Sequence, residues 1–175
     1  MSDALTPTQA REPSPSDIAL KTISALGAAS GEVFDPKSAF GDLIRAASGH
    51  CRRLVNAERV RIWVMRRGGR TLVAHEFGDG DRPVEHRMAG SDGLAGWVIA
   101  QRHALRLAPG DPRPDRGQEP PAFRSALVVP LYRRGDAFGA IECLDRKGGG
   151  AFTDADAQSL DVAAEHIAFA LDNAL

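Results

Sequence analysis

Two apolar runs joined by a short polar turn limit what this chain can fold into more than any other part of its sequence. The runs lie in residues 124–145, RSALVVPLYRRGDAFGAIECLD. Residues 125–132 are almost continuously apolar, which is typical of a strand buried on both faces. Pro130 lacks an N–H group and predicts a bulge or a position without a hydrogen-bond partner. Residues 133–136 form a polar turn, so residues 137–144 are predicted to return as an antiparallel strand.

A second hairpin is predicted upstream. Residues 58–66, ERVRIWVMR, alternate strictly and are followed by a glycine-containing turn and a partner strand at residues 71–77. The alternation places Val60, Ile62 and Val64 on one face of the first strand. Arg61, Trp63 and Met65 lie on the opposite face.

Shorter elements separate the two hairpins. The sequence predicts an edge strand at 84–88, a helix at 94–101 capped by Ser91 or Asp92, and a short strand at 104–107. Residues 108–122, APGDPRPDRGQEPPA, carry five prolines and several charges. We expect this segment to be a long exposed loop.

Two amphipathic helices flank the sheet-forming region. Apolar residues at spacings of three and four mark residues 36–55 as a core-facing helix with Pro36 at its first position. Residues 153–175 form a second long helix, in which Thr153 is the N-cap and Asp156 completes a capping box.

The amino-terminal sequence is expected to add one more helix. Residues 1–16 contain three prolines among small polar residues and are predicted to be disordered. Residues 17–28 are predicted to form a helix with Ser16 as its N-cap. The segment lacks the basic start and apolar centre of a secretory signal, and no run approaches the ~18 apolar residues of a membrane span. We therefore expect a cytoplasmic protein with no membrane partner.

The charge balance indicates that nucleic acid is not a partner. Lys and Arg number 22 against 23 acidic residues, closely interspersed, for a formal net charge of −1. A dedicated nucleic-acid surface would be strongly basic. The alternative is a local basic patch, formed by Arg52, Arg53, Arg59 and Arg61.

The sequence contains no recognisable catalytic constellation. It lacks the G-x-S-x-G, H-E-x-x-H, C-x-x-C and phosphate-loop patterns, and its five histidines are too scattered to predict a zinc site. Glu142 and Asp145 are three residues apart in a strand and should point to opposite faces. Cys51 and Cys143 are expected to be buried thiols rather than a disulfide. We therefore predict that the chain is not an enzyme and binds no metal.

Three motifs in order resemble those of a GAF domain. Residues 125–146 read S-A-L-x-V-P-L-x-x-x-G-x-x-x-G-A-I-E-x-L-D-R, and F-T-x-x-D follows before a helix rich in Ala and Leu. Upstream, GSDGLAGWVIAQRHA at residues 90–104 is similar to the G-x-x-G-W-V helix of the same family. The resemblance implies a single α+β domain over residues 17–175, with a GAF-like (profilin-like) central antiparallel sheet of five or six strands. Residues 58–145 would hold this sheet and its pocket lid, with the terminal helices on one face and a short helix and loops over the other.

In GAF relatives a ligand pocket lies between one sheet face and the covering helix and loops. By that likeness, Ala140, Glu142 and Leu144 face the pocket. The resulting candidate ligand-binding residues are Arg61, Trp63, Met65, Trp97, Phe123, Ser125 and Glu142.

Plainer explanations stay open for several of these residues. The alternative role of Trp63 and Trp97 is plain packing in the core. The alternative role of Glu142 is an ion pair with Arg61 or Arg106. His75 or His86 could serve as a haem ligand. The alternative is that each is a surface or edge-strand histidine.

Three functional branches of the family require residues that this chain has only in part. Free methionine-(R)-sulfoxide reductases use several cysteines around the pocket, whereas only Cys143 lies near it here. Bilin-binding relatives need a cysteine in or near the pocket helix, and residues 91–101 contain none. Cyclic-nucleotide-binding relatives carry N-K-x(n)-F-x3-D-E; this chain keeps the spacing of Phe152 and Asp156 but has Ala157 in place of the final acid.

The resemblance implies a sensory or regulatory module rather than an enzyme. Its ligand would be an unidentified small molecule, with no particular cofactor assigned, or a protein partner. We expect a homodimer formed through the first and last helices, residues 17–28 and 153–175. The alternatives are a scaffold that has lost its ligand and a thiol enzyme that uses Cys143.

Overall fold

The computed structural model describes residues 36–66, 68–77, 83–114 and 122–174. The segment 1–16 and the helix predicted over residues 17–28 lie outside this part of the chain. Its elements are, in order, α1 (Pro36–Leu54), β1 (Ala57–Met65), β2 (Thr71–Glu76), β3 (Val84–Ala89), α2 (Gly93–Gln101), β4 (Leu105–Leu107), β5 (Ala126–Arg133), β6 (Asp136–Arg146) and α3 (Asp154–Ala174). None of these helices has the length and apolar character needed to cross a membrane.

The strands within the described ranges form one open antiparallel sheet of six strands, in the order β3-β2-β1-β6-β5-β4. Strand β6 lies between β1 and β5, and every residue of β5 from Ala126 to Leu131 is buried. The predicted α+β class, with an antiparallel sheet of five or six strands, is confirmed. A register shift between Leu131 and Tyr132 disrupts the ladder one residue after Pro130, close to the bulge that the proline predicts.

The two faces of the sheet belong to two separate apolar cores. We call the face under α1 and α3 the helix side and the face under α2 the lid side. The helix-side core includes Ile44, Cys51, Ile62, Val129, Ile141, Cys143, Leu160 and Ile167. The lid-side core includes Trp63, Leu72, Ala74, Leu94, Val98, Val128, Ala140 and Leu144. Alternate residues of β1 and β6 therefore serve different cores, as a period of two requires.

The start of α3 has the capping box expected from the sequence. The Thr153 hydroxyl accepts a hydrogen bond from the Asp156 N–H at 3.1 Å, and the Asp156 carboxylate accepts one from the Thr153 N–H at 2.8 Å. Asp92 occupies the N-cap position of α2, but its side chain makes no capping hydrogen bond.

At Gly139 the backbone of β1 leaves no room for a side chain on β6, so alanine should not fit there. A Cβ at Gly139 would lie 2.3 Å from the carbonyl oxygen of Trp63, a backbone atom held in the ladder. G139A should therefore lower the free energy of unfolding in urea by about 1–3 kcal/mol. Gly41 is the matched control, because it is exposed in α1 with nothing within 4 Å of its Cβ position. G41A should leave stability unchanged or raise it by up to about 1 kcal/mol; equal effects of the two variants would contradict this packing.

Candidate functional site

Four charged or titratable side chains converge on the lid side of the sheet. β1 contributes Arg61, whose register partners are Glu76 on β2 and Glu142 on β6. β3 contributes His86, which lies across from Ala74, the neighbour of Trp63 on β2. We call Arg61, Glu76, His86 and Glu142 the charged cluster. Four strands thus bring together residues that are up to 81 positions apart in the sequence.

Arg61 lies between the two carboxylates but contacts them unequally. Its Nε donates a hydrogen bond to Glu76 Oε2 at 2.5 Å. Its Nη1 is 3.6 Å from Glu142 Oε2, beyond hydrogen-bond range. Glu142 Oε2 instead accepts a hydrogen bond from the Trp63 indole N–H at 3.0 Å. Arg61, Trp63 and Glu142 are 4%, 4% and 5% exposed, so these contacts are shielded from water.

Burial controls the protonation of two members of the charged cluster. It raises the pKa of Glu142 above its ordinary value, against the opposing effects of the Trp63 N–H and Arg61. Burial also lowers the pKa of His86, assisted by the positive charge of Arg61 and opposed by Glu76. The buried His86 Nε2 lies 3.3 Å from Glu76 Oε2 without forming an aligned hydrogen bond. His86 is consequently neutral at neutral pH.

Aromatic and thioether side chains surround the charged cluster. The Trp63 and His86 rings are 6.3 Å apart between centroids, and Met65 and Met88 pack against the same core. Trp97 is half-buried at the edge of this core, 5.3 Å from the His103 ring in an edge-to-face arrangement.

Phe123 also packs on the lid-side core, where the chain returns from the proline-rich loop. The Arg113 guanidinium lies 4.6 Å from the centroid of its ring. Of the seven candidate residues, six therefore take part in the lid-side core or the charged cluster.

Ser125, the seventh candidate, is buried in a different polar group at the end of β6. Its hydroxyl accepts a hydrogen bond from the Arg146 N–H at 3.1 Å. Next to it, Asp145 has a φ of 57° and accepts hydrogen bonds at 2.6 Å from the Arg124 N–H and from Arg59. Although burial opposes ionisation of Asp145, these two donors hold its pKa below the ordinary value. We call Arg59, Arg124, Ser125, Asp145 and Arg146 the β6-end network.

The β6-end network reaches the last helix. Arg146 Nε donates a hydrogen bond to Asp156 Oδ2 at 3.2 Å, and the same carboxylate caps α3. Phe152, which precedes this cap, is 2% exposed. The residues that resemble part of the cyclic-nucleotide signature are thus engaged in joining β6 to α3.

Both thiols lie in the helix-side core, away from the charged cluster. Cys51 and Cys143 are free and fully buried. Burial raises the pKa of Cys51 to about 12 and also raises that of Cys143. A reactive cysteine needs the opposite, namely access and a lowered pKa. Within the described ranges, no group of three or more His, Cys, Asp or Glu side chains is arranged to hold a metal ion.

Two members of the charged cluster were not identified from the sequence. The sequence predicts no role for Glu76, and for His86 it predicts either a haem ligand or a surface or edge-strand histidine. The pairing of Arg61 with Glu76 depends on the register across the β1–β2 turn. Of the two alternative partners of Glu142, Arg61 is the one nearby, whereas Arg106 pairs with Asp154 at 2.6 Å.

The basic patch considered from the sequence does not form a single surface. Arg59 and Arg61 lie on the lid side, where Arg61 is buried and Arg59 pairs with Asp145. Arg52 and Arg53 belong to the last turn of α1, on the helix side.

Comparisons with known proteins identify relatives of this fold. The family model for the GAF domain matches residues 41–171. A search of curated proteins by sequence finds no match.

Among solved structures, the GAF domain of a phosphoenolpyruvate-protein phosphotransferase from Coxiella burnetii has a TM-score of 0.66 at 15% identity, covering 91% of this chain and 95% of that one. A type II free methionine-R-sulfoxide reductase from Thermoplasma acidophilum has a TM-score of 0.64 at 21% identity. The match covers 79% of this chain and 96% of the reductase. The GAF-B domain of DevS from Mycobacterium smegmatis has a TM-score of 0.60 at 20% identity. The match covers 80% of this chain and 95% of the DevS domain. At these identities the likeness establishes the fold.

The raised pKa of Glu142 should appear as a pH-dependent difference in stability. Its ordinary pKa of 4.5 applies to the unfolded chain, and the folded protein holds the proton more tightly. This carboxyl therefore lowers the free energy of unfolding as pH rises above about 4.5 toward the folded pKa. E142Q removes that titration, so the stability of E142Q relative to wild type should increase as pH rises above about 4.5. Urea denaturation over this range measures the difference; a constant or decreasing difference would contradict the raised pKa.

Proposed function

Because this chain belongs to the GAF domain family, we propose that it is a cytoplasmic regulatory module that binds a small molecule on the lid side of its sheet. The charged cluster would form the polar part of the binding site. Trp63, Met65, Trp97 and Phe123 would form its apolar walls.

The observation that carries this proposal is the burial of charge within an apolar core. Ionised groups are costly to remove from water, and an apolar core of the same volume is often at least as stable. Glu142 and Arg61 nevertheless lie in the middle of the lid-side core, among fully buried apolar residues such as Ala74 and Val128. Buried titratable groups with shifted pKa values are concentrated at functional sites. A binding role explains why the core retains them.

The β6-end network supplies a route from this site to the last helix. Arg59 donates hydrogen bonds to the Ala122 carbonyl at 2.9 Å and to Asp145 at 2.6 Å. Arg146 follows Asp145 directly and is bonded to the cap of α3 through Asp156. A ligand that binds better to one arrangement of the segment around Phe123 would therefore bias the position of α3.

The outer surface of α3 supports a homodimer as the output of this module. Phe169 is 73% exposed and Val162 is 46% exposed, one heptad apart on the side of α3 opposite the core. Three of the five acidic residues of α3 pair with arginines of the same chain, and the other two, Asp161 and Glu165, are exposed near Val162. α3 has no Lys or Arg, whereas α1 has Arg45, Arg52 and Arg53. Two copies related by a twofold axis could place each acidic helix against the partner's basic helix.

We propose that the chain performs no catalysis. Free methionine-R-sulfoxide reductases share this fold, but the two thiols here are buried and have raised pKa values. Neither cysteine has the accessible, acidic thiol that thiol chemistry needs.

A scaffold without a ligand is the second candidate, and one observation favours it. The central residues of the candidate site are buried by neighbouring side chains: Arg61, Trp63 and Glu142 are at most 5% exposed. In this case the charged cluster would be structural and function would lie in the helix surfaces. Binding of any small molecule to the lid side would distinguish the two candidates.

Ligand binding should be detectable as stabilisation that depends on Glu142. Cyclic nucleotides, nitrate and amino acids are added separately in a thermal-shift screen, with native mass spectrometry to detect a copurified ligand. A ligand present at 100 times its Kd should stabilise the fold by about 2.7 kcal/mol. E142Q should reduce that shift, and E85Q, on the opposite sheet face, should preserve it. No shift with any compound and no copurified ligand would favour the scaffold.

Dimerisation should depend on the exposed apolar residues of α3. Sedimentation velocity is expected to show a dimer for wild type and a monomer for F169E, because a carboxylate would be buried without a partner at the interface. Val84 provides the matched control, since it is 59% exposed on the edge strand β3 and V84E should remain dimeric. A monomeric wild type, or the same oligomeric state for both variants, would contradict the proposed interface.

A further inference from the structure

The turn between β5 and β6 contacts two helices that lie on opposite faces of the sheet. β5 ends at Arg133 and β6 begins at Asp136, so Arg134 and Gly135 form the turn itself. Their φ angles are 49° and 88°. Positive φ at both central residues is typical of a tight two-residue hairpin, whose twist matches that of its strands. We call residues 133–136 the β5–β6 turn.

The first of these helices is α2, which covers the lid side. Its C-cap residue is Arg102, whose backbone N–H donates a hydrogen bond to the Val98 carbonyl at 2.8 Å. The Arg102 carbonyl accepts a hydrogen bond from the Tyr132 hydroxyl at 2.5 Å. The Arg102 guanidinium donates another to the Gly135 carbonyl. The end of α2 is therefore bonded to the β5–β6 hairpin through both the backbone and the side chain of one residue.

Arginine is an unusual residue for the end of α2. Arg102 has a φ of 61°, and a left-handed residue at a helix end is most often glycine, which has no Cβ to strain. Glycine would keep this backbone conformation but would lose the contact with Gly135. Residues that are held in unfavourable backbone conformations are concentrated at functional clamps and switches. The strain at Arg102 thus points to a role for its side chain.

The second helix is α3, on the helix side. Arg133 Nη1 donates a hydrogen bond to Asp172 Oδ1 at 3.2 Å, in the last turn of α3. The same guanidinium lies 5.7 Å from the centroid of the Phe138 ring, which packs on the helix-side core. The β5–β6 turn consequently contacts the carboxyl end of α3 through Arg133 and the carboxyl end of α2 through Tyr132 and Gly135.

We infer that the β5–β6 turn couples the end of the lid helix α2 to the end of the last helix α3, so that loosening one helix end loosens the other. This inference rests on the proposed function, because it specifies a second connection between the cover of the site and α3. Coupling of this kind is reciprocal, and it can be tested from either helix.

The exposure of the contacts sets the size of the effect. The side chains of Arg133 and Asp172 are 44% and 37% exposed, so water weakens their ion pair. A contact of this kind changes a local opening equilibrium by about threefold. Amide hydrogen exchange, measured residue by residue in the full-length protein, resolves a change of that size and reports local opening directly.

D172N tests the coupling from the side of α3. The substitution removes the charge that Arg133 contacts and leaves every atom of α2 in place. The N–H of Arg102 should exchange about threefold faster than in wild type, because the β5–β6 turn is held less firmly. The N–H of Ile141, in the middle of the sheet, should exchange at the wild-type rate.

D154N is the matched control. Asp154 lies at the other end of α3 and pairs with Arg106 of β4 at 2.6 Å, so this substitution removes an ion pair of the same type from the same helix. It should leave the exchange of the Arg102 N–H unchanged, because it does not touch the β5–β6 turn.

Y132F tests the coupling from the side of α2. It removes the hydroxyl group that contacts the Arg102 carbonyl and keeps the aromatic ring. The N–H of Leu171, near the end of α3, should then exchange about threefold faster, as reciprocity requires.

Each remaining outcome has a definite meaning. The inference is wrong if D172N leaves the Arg102 N–H unchanged, if Y132F leaves the Leu171 N–H unchanged, or if D154N has the same effect as D172N. Equal acceleration at Ile141 would show a general loss of stability and would also contradict it. None of these results bears on ligand binding, so the small-molecule site would stand. Coupling found together with a negative ligand screen would support the connection and contradict the proposed function.

Discussion

The pairing of β6 with both β1 and β5 is the constraint on which the rest of this structure depends. β6 is buried from Gly139 to Asp145, and its two faces serve different cores. Ile141 and Cys143 hold α1 and α3 on the helix side, while Ala140, Glu142 and Leu144 form the floor of the lid side. Because Gly139 lets the backbone of β1 approach closely, the register between these two strands leaves little freedom. That register places Glu142 directly beside Arg61, and the candidate site follows from it.

The charged cluster is a local departure from the rule that cores are apolar. To the helix-side core the same strands contribute apolar side chains and a thiol, among them Ile62, Ile141 and Cys143. On the lid side they bury a guanidinium and a carboxylate, which costs stability unless the groups are well paired. Arg61 contacts Glu76 more closely than Glu142. Proteins tolerate such groups mainly where they have a function, which is why this face is the candidate site and the helix side is not.

The β6-end network connects the end of β6 to the last helix. Asp145 adopts a left-handed backbone conformation and gathers donors from β1 and from the segment before β5. Arg146, the next residue, is bonded to the cap of α3. These adjacent residues form a continuous set of contacts between Ala122, next to Phe123, and the start of α3. Such contiguity permits coupling between two sites, and a measured difference between two states is what would establish it.

Much of the fold and part of the site could be predicted from the sequence, because both depend on short-range periodicity. Alternation in residues 58–66 determined that Arg61 and Trp63 share a face, and the apolar run before the 133–136 turn determined a central buried strand. Only the tertiary structure decided that Glu76 and His86 join them. Their positions depend on strand register and sheet order, which are set by packing among residues far apart in the chain. For the same reason, it was the fold that decided that Arg61, and not Arg106, lies beside Glu142.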